Sequence, residues 1–396
     1  MGKKLAGGIF GQLSQVYIKV INQIYQCKRN YIKFLRNVDS GGGSYDGENG
    51  FKNGKWIEIS EGSCENELIT HSGEYRNGKK IGRWETFYKE YYVNGFTFQA
   101  GGSYSEEGDG LKIGKWIELD ENFSRFSQVI YKGEYQFGRK IGKWEIKSQM
   151  DQMQRIKHQK FRGGGQYDEE GQGLKIGKWI ELSHDFSQDL QVFYKGEYHI
   201  GKKIGRWEIE NERKQIGGGC YDEGSSGFKV GRWIELCEES KSDSLITIIG
   251  EYEKGKKIGR WDIWYQNYAK NKLIGGGLYD ERGLNIKIGK WIELSDRFTQ
   301  DQKVIYSGEY KNNMRSGRWD IWYQKDNEFQ RIAGGQYQGD SIKIGKWIEL
   351  SKGFRSNNQP SEQITYHGEY NNGKKVGIWV AMNLNCKKLK ELNYNN

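Results

Sequence analysis

The chain has 396 residues, with 56 Gly, a single Pro and an aromatic content of 14%. A disordered chain would have few aromatic residues and more Pro, so this composition predicts a folded, mostly β protein. The net charge is +10, but residues 39–396 are nearly balanced, with 55 basic and 52 acidic residues. This balance argues against nucleic-acid binding, since such proteins usually concentrate positive charge on their folded domain.

Residues 1–38 form a basic segment with seven cationic residues and no acidic residue. Apolar residues recur here at three- and four-residue steps, which predicts a short amphipathic helix over 9–36, although β-branched residues in 16–24 leave a strand open. Three interpretations stand: a cap on an open sheet edge, a contact with anionic membrane lipid, or a helix that binds a partner. The residues predicted for membrane contact are Lys3, Lys4, Lys19, Lys28, Arg29, Lys33 and Arg36.

Residues 39–380 contain twelve related repeats of two alternating types. A type-A repeat reads Gly-Gly-Gly-x-Tyr, a variable polar loop, then Gly-Lys-Trp-Ile-Glu-Leu. A type-B repeat reads Gly-Glu-Tyr, a short basic turn, then Gly-Arg-Trp. The Tyr-to-Trp spacing is 9 in all six type-B repeats and ranges from 10 to 12 in type A. Since length changes fall in the loops, each repeat is predicted to be a strand, a turn and a strand.

The repeats predict the fold. Asn77-Gly78 and Asn372-Gly373 lie in type-B turns, and Asn-Gly favours tight hairpins. Two strands in each of twelve repeats give about 24 strands, and their short connections favour antiparallel pairing in chain order. We therefore expect an all-β fold, an elongated single-layer hairpin array. The alternative is a six-bladed β-propeller, because six A–B pairs would supply four strands per blade.

The repeated tryptophans are interpreted as a structural aromatic ladder. A single-layer sheet has no second layer, so aromatic rings on neighbouring hairpins have to bury one another, each contributing about 1.5–3 kcal/mol. The glycines allow these rings to lie flat on the backbone. A ligand-stacking surface is the alternative. The twelve residues are Trp56, Trp84, Trp116, Trp144, Trp179, Trp207, Trp233, Trp261, Trp291, Trp319, Trp347 and Trp379.

The repeated carboxylates do not predict an enzyme. Each type-A repeat has a Glu two residues after its Trp, and each type-B repeat has one in Gly-Glu-Tyr. An active site occurs once, not twelve times, so we expect cross-strand ion pairs with the basic residue that precedes Trp in eleven repeats. The Gly-Lys pairs lack the spacing of a phosphate loop, the acidic loops lack that of an EF-hand, and neither His nor Cys residues show a metal-site spacing. No cofactor and no metal site is expected.

Residues 131–142 resemble the MORN (membrane occupation and recognition nexus) repeat, with the pattern Tyr-x-Gly-Glu-Tyr-x-x-Gly-x-x-x-Gly. Residues 194–205 and 306–317 match similarly, and type-A repeats match only loosely. The last Gly is followed by Arg/Lys-Trp, similar to a MORN-like variant of ciliate proteins and bacterial antitoxin proteins. The resemblance covers roughly residues 41–380. It implies single-layer hairpin arrays, often homodimeric, that serve as scaffolds or membrane-adjacent linkers.

Residues 381–396 are assigned to a polar C-terminal tail. The five Cys residues are interpreted as free thiols, and neither a signal peptide nor an 18-residue apolar stretch is apparent, so we expect a cytoplasmic protein, at the membrane or cytoskeleton. The predicted function is a non-catalytic scaffold or adaptor for protein partners. Two alternatives are a peripheral protein that binds anionic lipid through residues 1–38, and a carbohydrate binder or enzyme with an aromatic groove.

Overall fold

A computed structural model describes most of the chain beyond residue 42. The described ranges are 43–46, 50–60, 63, 67–90, 96–148, 162–184, 186–187, 189–211, 214–224, 226–237, 240, 244–266, 271–296, 298–299, 303–325, 328–354 and 363–394. The predicted helix over 9–36 and the seven cationic residues of 1–38 lie outside these ranges. The chain divides into an N-terminal unit, residues 1–175, and a C-terminal unit, residues 176–396, and each is described separately.

The N-terminal unit is an antiparallel sheet whose strands pair in chain order from β1 to β9. Its first strand is short because only two residues pair with β2. The strands are β1 Ser44–Tyr45, β2 Lys52–Ile59, β3 Glu67–Arg76, β4 Lys79–Glu90, β5 Thr97–Tyr104, β6 Lys112–Leu119, β7 Val129–Gln136, β8 Arg139–Ser148 and β9 Arg162–Tyr167.

The C-terminal unit is a longer antiparallel sheet in which β10 to β25 also pair in chain order. Only the first residue of β10 lies outside this unit. The strands are β10 Lys175–Leu182, β11 Val192–His199, β12 Lys202–Asn211, β13 Lys214–Tyr221, β14 Lys229–Leu236, β15 Leu245–Glu253, β16 Lys256–Gln266, β17 Asn271–Tyr279, β18 Lys287–Leu294, β19 Val304–Lys311, β20 Met314–Lys325, β21 Glu328–Gln338, β22 Ile342–Leu350, β23 Ile364–Asn371, β24 Lys374–Asn383 and β25 Lys388–Tyr394.

The predicted all-β hairpin array is confirmed, and the six-bladed propeller is wrong. In a propeller, hydrogen bonding between strands would stop after every fourth strand. In the C-terminal unit, pairing instead continues across these boundaries, from β12 to β13, from β16 to β17 and from β20 to β21. Each boundary between two A–B pairs of this unit is therefore bridged by antiparallel pairing, with one register shift, and the sheet is open.

The type-B turns have the backbone conformation that their sequence predicts. Asn77 and Gly78 have φ values of 49° and 76°, and Asn372 and Gly373 have 47° and 80°. Positive φ at both central residues matches the right-handed twist of the flanking strands. The Gly78 amide also donates to the Lys52 carbonyl at 2.9 Å, so this turn is tied to the start of the preceding type-A strand.

The C-terminal segment differs from the prediction. Residues 381–396 were assigned to a polar tail, but β24 extends to Asn383 and β25 pairs with it antiparallel. The segment contains no repeat pattern that would indicate a strand. Its physical role is to cover the last tryptophan, because Leu392 lies opposite Trp379 and the Tyr394 ring is 6.2 Å from the Trp379 ring. Lys388, Lys390 and Glu391 place charges along this edge strand, which discourages further strand pairing.

Candidate interaction surfaces

The tryptophans and tyrosines of the repeats form a continuous row of edge-to-face ring contacts on one face of each unit, here called the ladder face. In the N-terminal unit the row runs from Tyr45 to Tyr167, with ring centroids 5.0–6.2 Å apart. In the C-terminal unit it runs from Trp179 to Tyr394, at 4.9–6.4 Å. Eleven of the twelve ladder tryptophans are buried, and Trp56, which packs beside the two-residue strand β1, is half-buried. These contacts place the rings in the core of the sheet.

Glycine makes this packing possible. The indole of Trp261 lies flat on Gly250 of the neighbouring strand, and a Cβ there would overlap the ring atoms. Gly308 is covered in the same way by Trp319, and Gly133 by Trp144. A side chain at these positions would push the ring off the sheet, which explains why each tryptophan is opposed by glycine in the repeat pattern.

A cation lies against ladder rings in both units, and this contact was not predicted from the sequence. Lys140 Nζ lies 3.9 Å from the Trp144 ring centroid and Lys257 Nζ lies 4.0 Å from that of Trp261. Lys or Arg occupies the position four residues before the Trp in all twelve repeats. Alternation places these two residues on one face of the strand, but an extended strand would hold them about 13 Å apart. The Gly between them has positive φ, as at Gly142 (58°), so the contact was not predicted. Cation–π attraction adds about 0.5–1 kcal/mol per pair at such sites.

The type-A carboxylates hold these cations in place. Glu118 accepts from Lys112 of its own strand, from Lys140 at 2.9 Å and from the Tyr135 hydroxyl at 2.8 Å. Lys140 is two strands away from Glu118, so the ion pair bridges over the intervening tyrosine. The other five type-A glutamates, Glu58, Glu181, Glu235, Glu293 and Glu349, likewise accept from a tyrosine hydroxyl and at least one cation.

These contacts set the protonation states on the ladder face. Burial alone would raise the pKa of Glu118, but the hydrogen bond from Lys112 and the charge of Lys140 outweigh it and lower the pKa below the ordinary value. Burial and the nearby Glu235 charge raise the pKa of Tyr221 to about 12. The carboxylates are therefore charged and the tyrosines neutral at physiological pH, as structural ion pairs and donors require.

The opposite face of the sheet carries the residue that precedes each Trp. Lys115 lies directly opposite Glu134, and Lys290 opposite Glu309, which is the cross-strand placement that the sequence predicts for these charges. The type-B cations instead pair along their own strand: Arg260 Nε is 2.7 Å from Asp262, and Arg318 Nε is 2.9 Å from Asp320. The prediction was wrong for the type-A glutamates, since their partners are the ladder-face cations and not the residue before Trp.

An apolar patch lies on the opposite face of the C-terminal unit. It consists of Trp264, Leu273, Leu278, Ile292 and Trp322. The three aliphatic residues are 45%, 40% and 39% exposed, in that order, and both tryptophans are half-buried. Trp264 lies opposite Leu273, while Ile292 lies opposite Ser307, whose hydroxyl accepts from Trp322 Nε1 at 2.7 Å. These two tryptophans do not belong to the ladder, and no role was predicted for them from the sequence.

The other candidate ligands have structural roles. Asp222 accepts from the Phe228 and Ser226 amides of its own loop, and Asp280 accepts from the Ile286 amide. The acidic loops thus use their carboxylates to close the turn. Within the ranges that the structure describes, no three His, Cys, Asp or Glu residues come together as a metal site, and no helix could cross a bilayer.

Comparison of the chain with protein-family models and with curated proteins gave no match. The MORN resemblance therefore stays a prediction from the repeat pattern.

Proposed function

We propose that this protein is a non-catalytic repeat scaffold that binds a protein partner through the opposite face of its C-terminal unit. The observation that carries the proposal is the apolar patch. Trp and Arg are the side chains most enriched in interface hot spots, and Trp264 and Trp322 lie here beside Arg260, Arg318 and Arg331. An exposed sheet face suits another protein's surface better than a small ligand, which binds in a concave pocket.

The charges around the patch favour an acidic partner surface. The side chains of Arg260 and Arg318 are 58% and 59% exposed, whereas those of their partners Asp262 and Asp320 are 31% and 21% exposed. The outermost charges beside the patch are therefore positive. We infer a partner that presents apolar side chains surrounded by carboxylates, because electrostatic complementarity of this kind aids association and selects partners.

The ladder face supports the non-catalytic part of the proposal. Its six type-A glutamates are charged and engaged by cations and a tyrosine hydroxyl, with the pKa of Glu58, Glu118, Glu235, Glu293 and Glu349 lowered. A general acid would need a raised pKa and a free proton. The same arrangement recurs in every A–B pair, as expected for a device that stabilises the sheet.

The proposal also includes a MORN-like family relationship, supported by the repeat pattern, and a cytoplasmic location, supported by a sequence with five Cys residues and no CxxC pair. A second candidate function is binding to anionic lipid through residues 1–38, favoured by their seven cations and no acidic residue. Flotation with phosphatidylserine vesicles, with and without residues 1–38, tests it: loss of binding on deletion supports it, and unchanged flotation contradicts it.

Affinity capture with matched variants tests the scaffold function. Wild-type protein, a Trp264→Ser/Ile292→Ser variant and a Lys346→Ala/Glu369→Ala control on the same face would be compared, and retained proteins identified by mass spectrometry. A partner should then be purified and its Kd measured. We expect the patch variant to weaken binding at least about tenfold and the control to bind like wild type. Equal affinity for patch variant and wild type would contradict the proposal.

A further inference from the structure

The fifth type-B repeat departs from the others on the ladder face. Five of the six type-B repeats have Lys four residues before Trp, whereas the fifth has Arg315. The type-A repeat that follows it also has the shortest loop. Its Tyr-to-Trp spacing is 10, from Tyr337 to Trp347, against 12 from Tyr279 to Trp291 in the preceding type-A repeat. A shorter loop covers less of the ladder face beside it, so these two departures occur at the same place.

A depression of 660 Å³ lies there, within the C-terminal unit. Its lining includes two cations, Arg315 and Lys343, and the three tyrosines Tyr310, Tyr337 and Tyr370. Among its lining residues in the described ranges there is no carboxylate. Asn313 and Ser341 add polar groups at the rim. Positive charge, hydroxyl groups and aromatic walls thus converge on one concave site.

Both cations keep hydrogen-bonding capacity beyond their ion pairs. Arg315 donates from Nη2 to Glu293 at 2.8 Å, from Nε to the Tyr310 hydroxyl at 3.3 Å, and weakly from Nη1 to the Tyr337 hydroxyl at 3.5 Å. A guanidinium has five N–H donors, so two are left over. The Lys343 ammonium donates one hydrogen bond to Glu349 and has three N–H donors in total. Each carboxylate neutralises one flank of its cation without using all of its donors.

We propose that this depression binds a phosphate group, with the Arg315 guanidinium and the Lys343 ammonium as its cationic ligands. The fork of arginine donors matches two oxygens of a phosphate, and lysine supplies a second point charge, so a doubly charged anion gains more than a carboxylate does. The Tyr337 hydroxyl is placed to donate to a third oxygen. This function is separate from protein binding, because the depression is on the ladder face and the apolar patch is on the opposite face.

The phosphate group has two sources, a small solute or a lipid headgroup, and two probes separate them. Binding of pyrophosphate would be measured by calorimetry on the full chain, and flotation would use phosphatidylcholine vesicles with and without phosphatidic acid. The key variant is Arg315→Lys, which installs the residue that the other five type-B repeats already have, so the fold is preserved. The matched control is Lys257→Arg, which places an arginine at the same position of the preceding type-B repeat. The type-A repeat that follows Lys257 has the longer Tyr-to-Trp spacing of 12.

We expect Arg315→Lys to weaken pyrophosphate binding about tenfold, the effect of one charge-assisted hydrogen bond, and Lys257→Arg to leave it unchanged. Two residues inserted after Gly339 should close the depression and abolish binding. Arg315-dependent flotation with phosphatidic acid would identify the lipid headgroup as the source, and pyrophosphate binding without it would identify a solute. Binding of neither probe, or binding of either that is equal in wild type and Arg315→Lys, would overturn the site.

Discussion

The two faces of strand β16 place neighbouring residues in different environments. Trp261, Ile263 and Tyr265 point to the ladder face and are buried, while Arg260 is exposed and Trp264 half-buried on the opposite face. Alternation of this kind is typical of a strand with one packed face. The difference shows that one face holds neighbouring hairpins together, which leaves the other available for contacts with other molecules.

Variation among the repeats follows the same division. On the ladder face, a cation stands four residues before Trp in every repeat. On the opposite face, the residue three positions after the type-B Trp changes from repeat to repeat: Phe87, Lys147, Glu210, Trp264, Trp322 and Met382. Residues that make the same contact in each hairpin are repeated, and residues that make no common contact differ. The free face can therefore carry a local surface such as the apolar patch at little cost to the fold.

Among substitutions that keep every tryptophan, the largest effect is expected from crowding the ladder face. Gly250→Ala would place a Cβ within the Trp261 ring and force the indole away from the sheet. We expect a loss of about 1–3 kcal/mol in the free energy of unfolding, typical of overpacked cores, measured by urea unfolding followed by circular dichroism. Gly353→Ala is the control, because no atom lies within 4 Å of a Cβ at that position. Equal losses for both variants would show that the ring contact is unimportant.

A smaller effect is expected from breaking one ion-pair cluster. Glu235→Gln removes the charge that holds Lys229 and Lys257 and weakens the bond from the Tyr252 hydroxyl. Because the Glu235 side chain is only 17% exposed, we expect a loss of about 1–2 kcal/mol. Glu251→Gln on the opposite face, where Glu251 is exposed, should change little. A similar effect for the two substitutions would contradict the distinction between faces.

The same cluster predicts how stability depends on pH. Although burial opposes it, the cations lower the folded-state pKa of Glu235, so the carboxylate contributes stability above its unfolded-state pKa. That contribution is lost as the pH falls through the lowered folded-state value. The difference in unfolding free energy between wild type and Glu235→Gln should therefore shrink on acidification below about pH 4.5. A difference that is constant across that range would rule out a charge effect.

The smallest effect is expected for a single charge on the opposite face. Lys290 is exposed and lies opposite Glu309, in an arrangement where solvent screens the attraction. Lys290→Ala should change the free energy of unfolding by no more than about 0.5 kcal/mol. A loss comparable with that of Glu235→Gln would mean that the opposite face also holds the sheet together.

Much of this architecture was predictable because most of its contacts are between neighbouring strands of the same or adjacent repeats. The period-two alternation, the Asn-Gly turns and the fixed Tyr-to-Trp spacing led to the hairpins and the ladder. The pairing of Glu118 with Lys140 was not predicted, since it joins strands two apart and depends on the backbone at glycines with positive φ. Strand β25 has no repeat pattern to predict it. It pairs with β24 and places Leu392 opposite Trp379, which buries the last ladder ring. The depression beside Arg315 lies next to the shortest type-A loop, and its shape could not be predicted from the sequence.

The most direct test of the division between faces compares two tryptophans three residues apart in one strand. Urea unfolding of Trp261→Ala and Trp264→Ala should be followed by circular dichroism under identical conditions. We predict a loss of about 3–5 kcal/mol for Trp261→Ala, which empties a buried ring position, and about 1 kcal/mol for Trp264→Ala. Equal losses, or a greater loss for Trp264→Ala, would contradict the assignment of the fold to the ladder face.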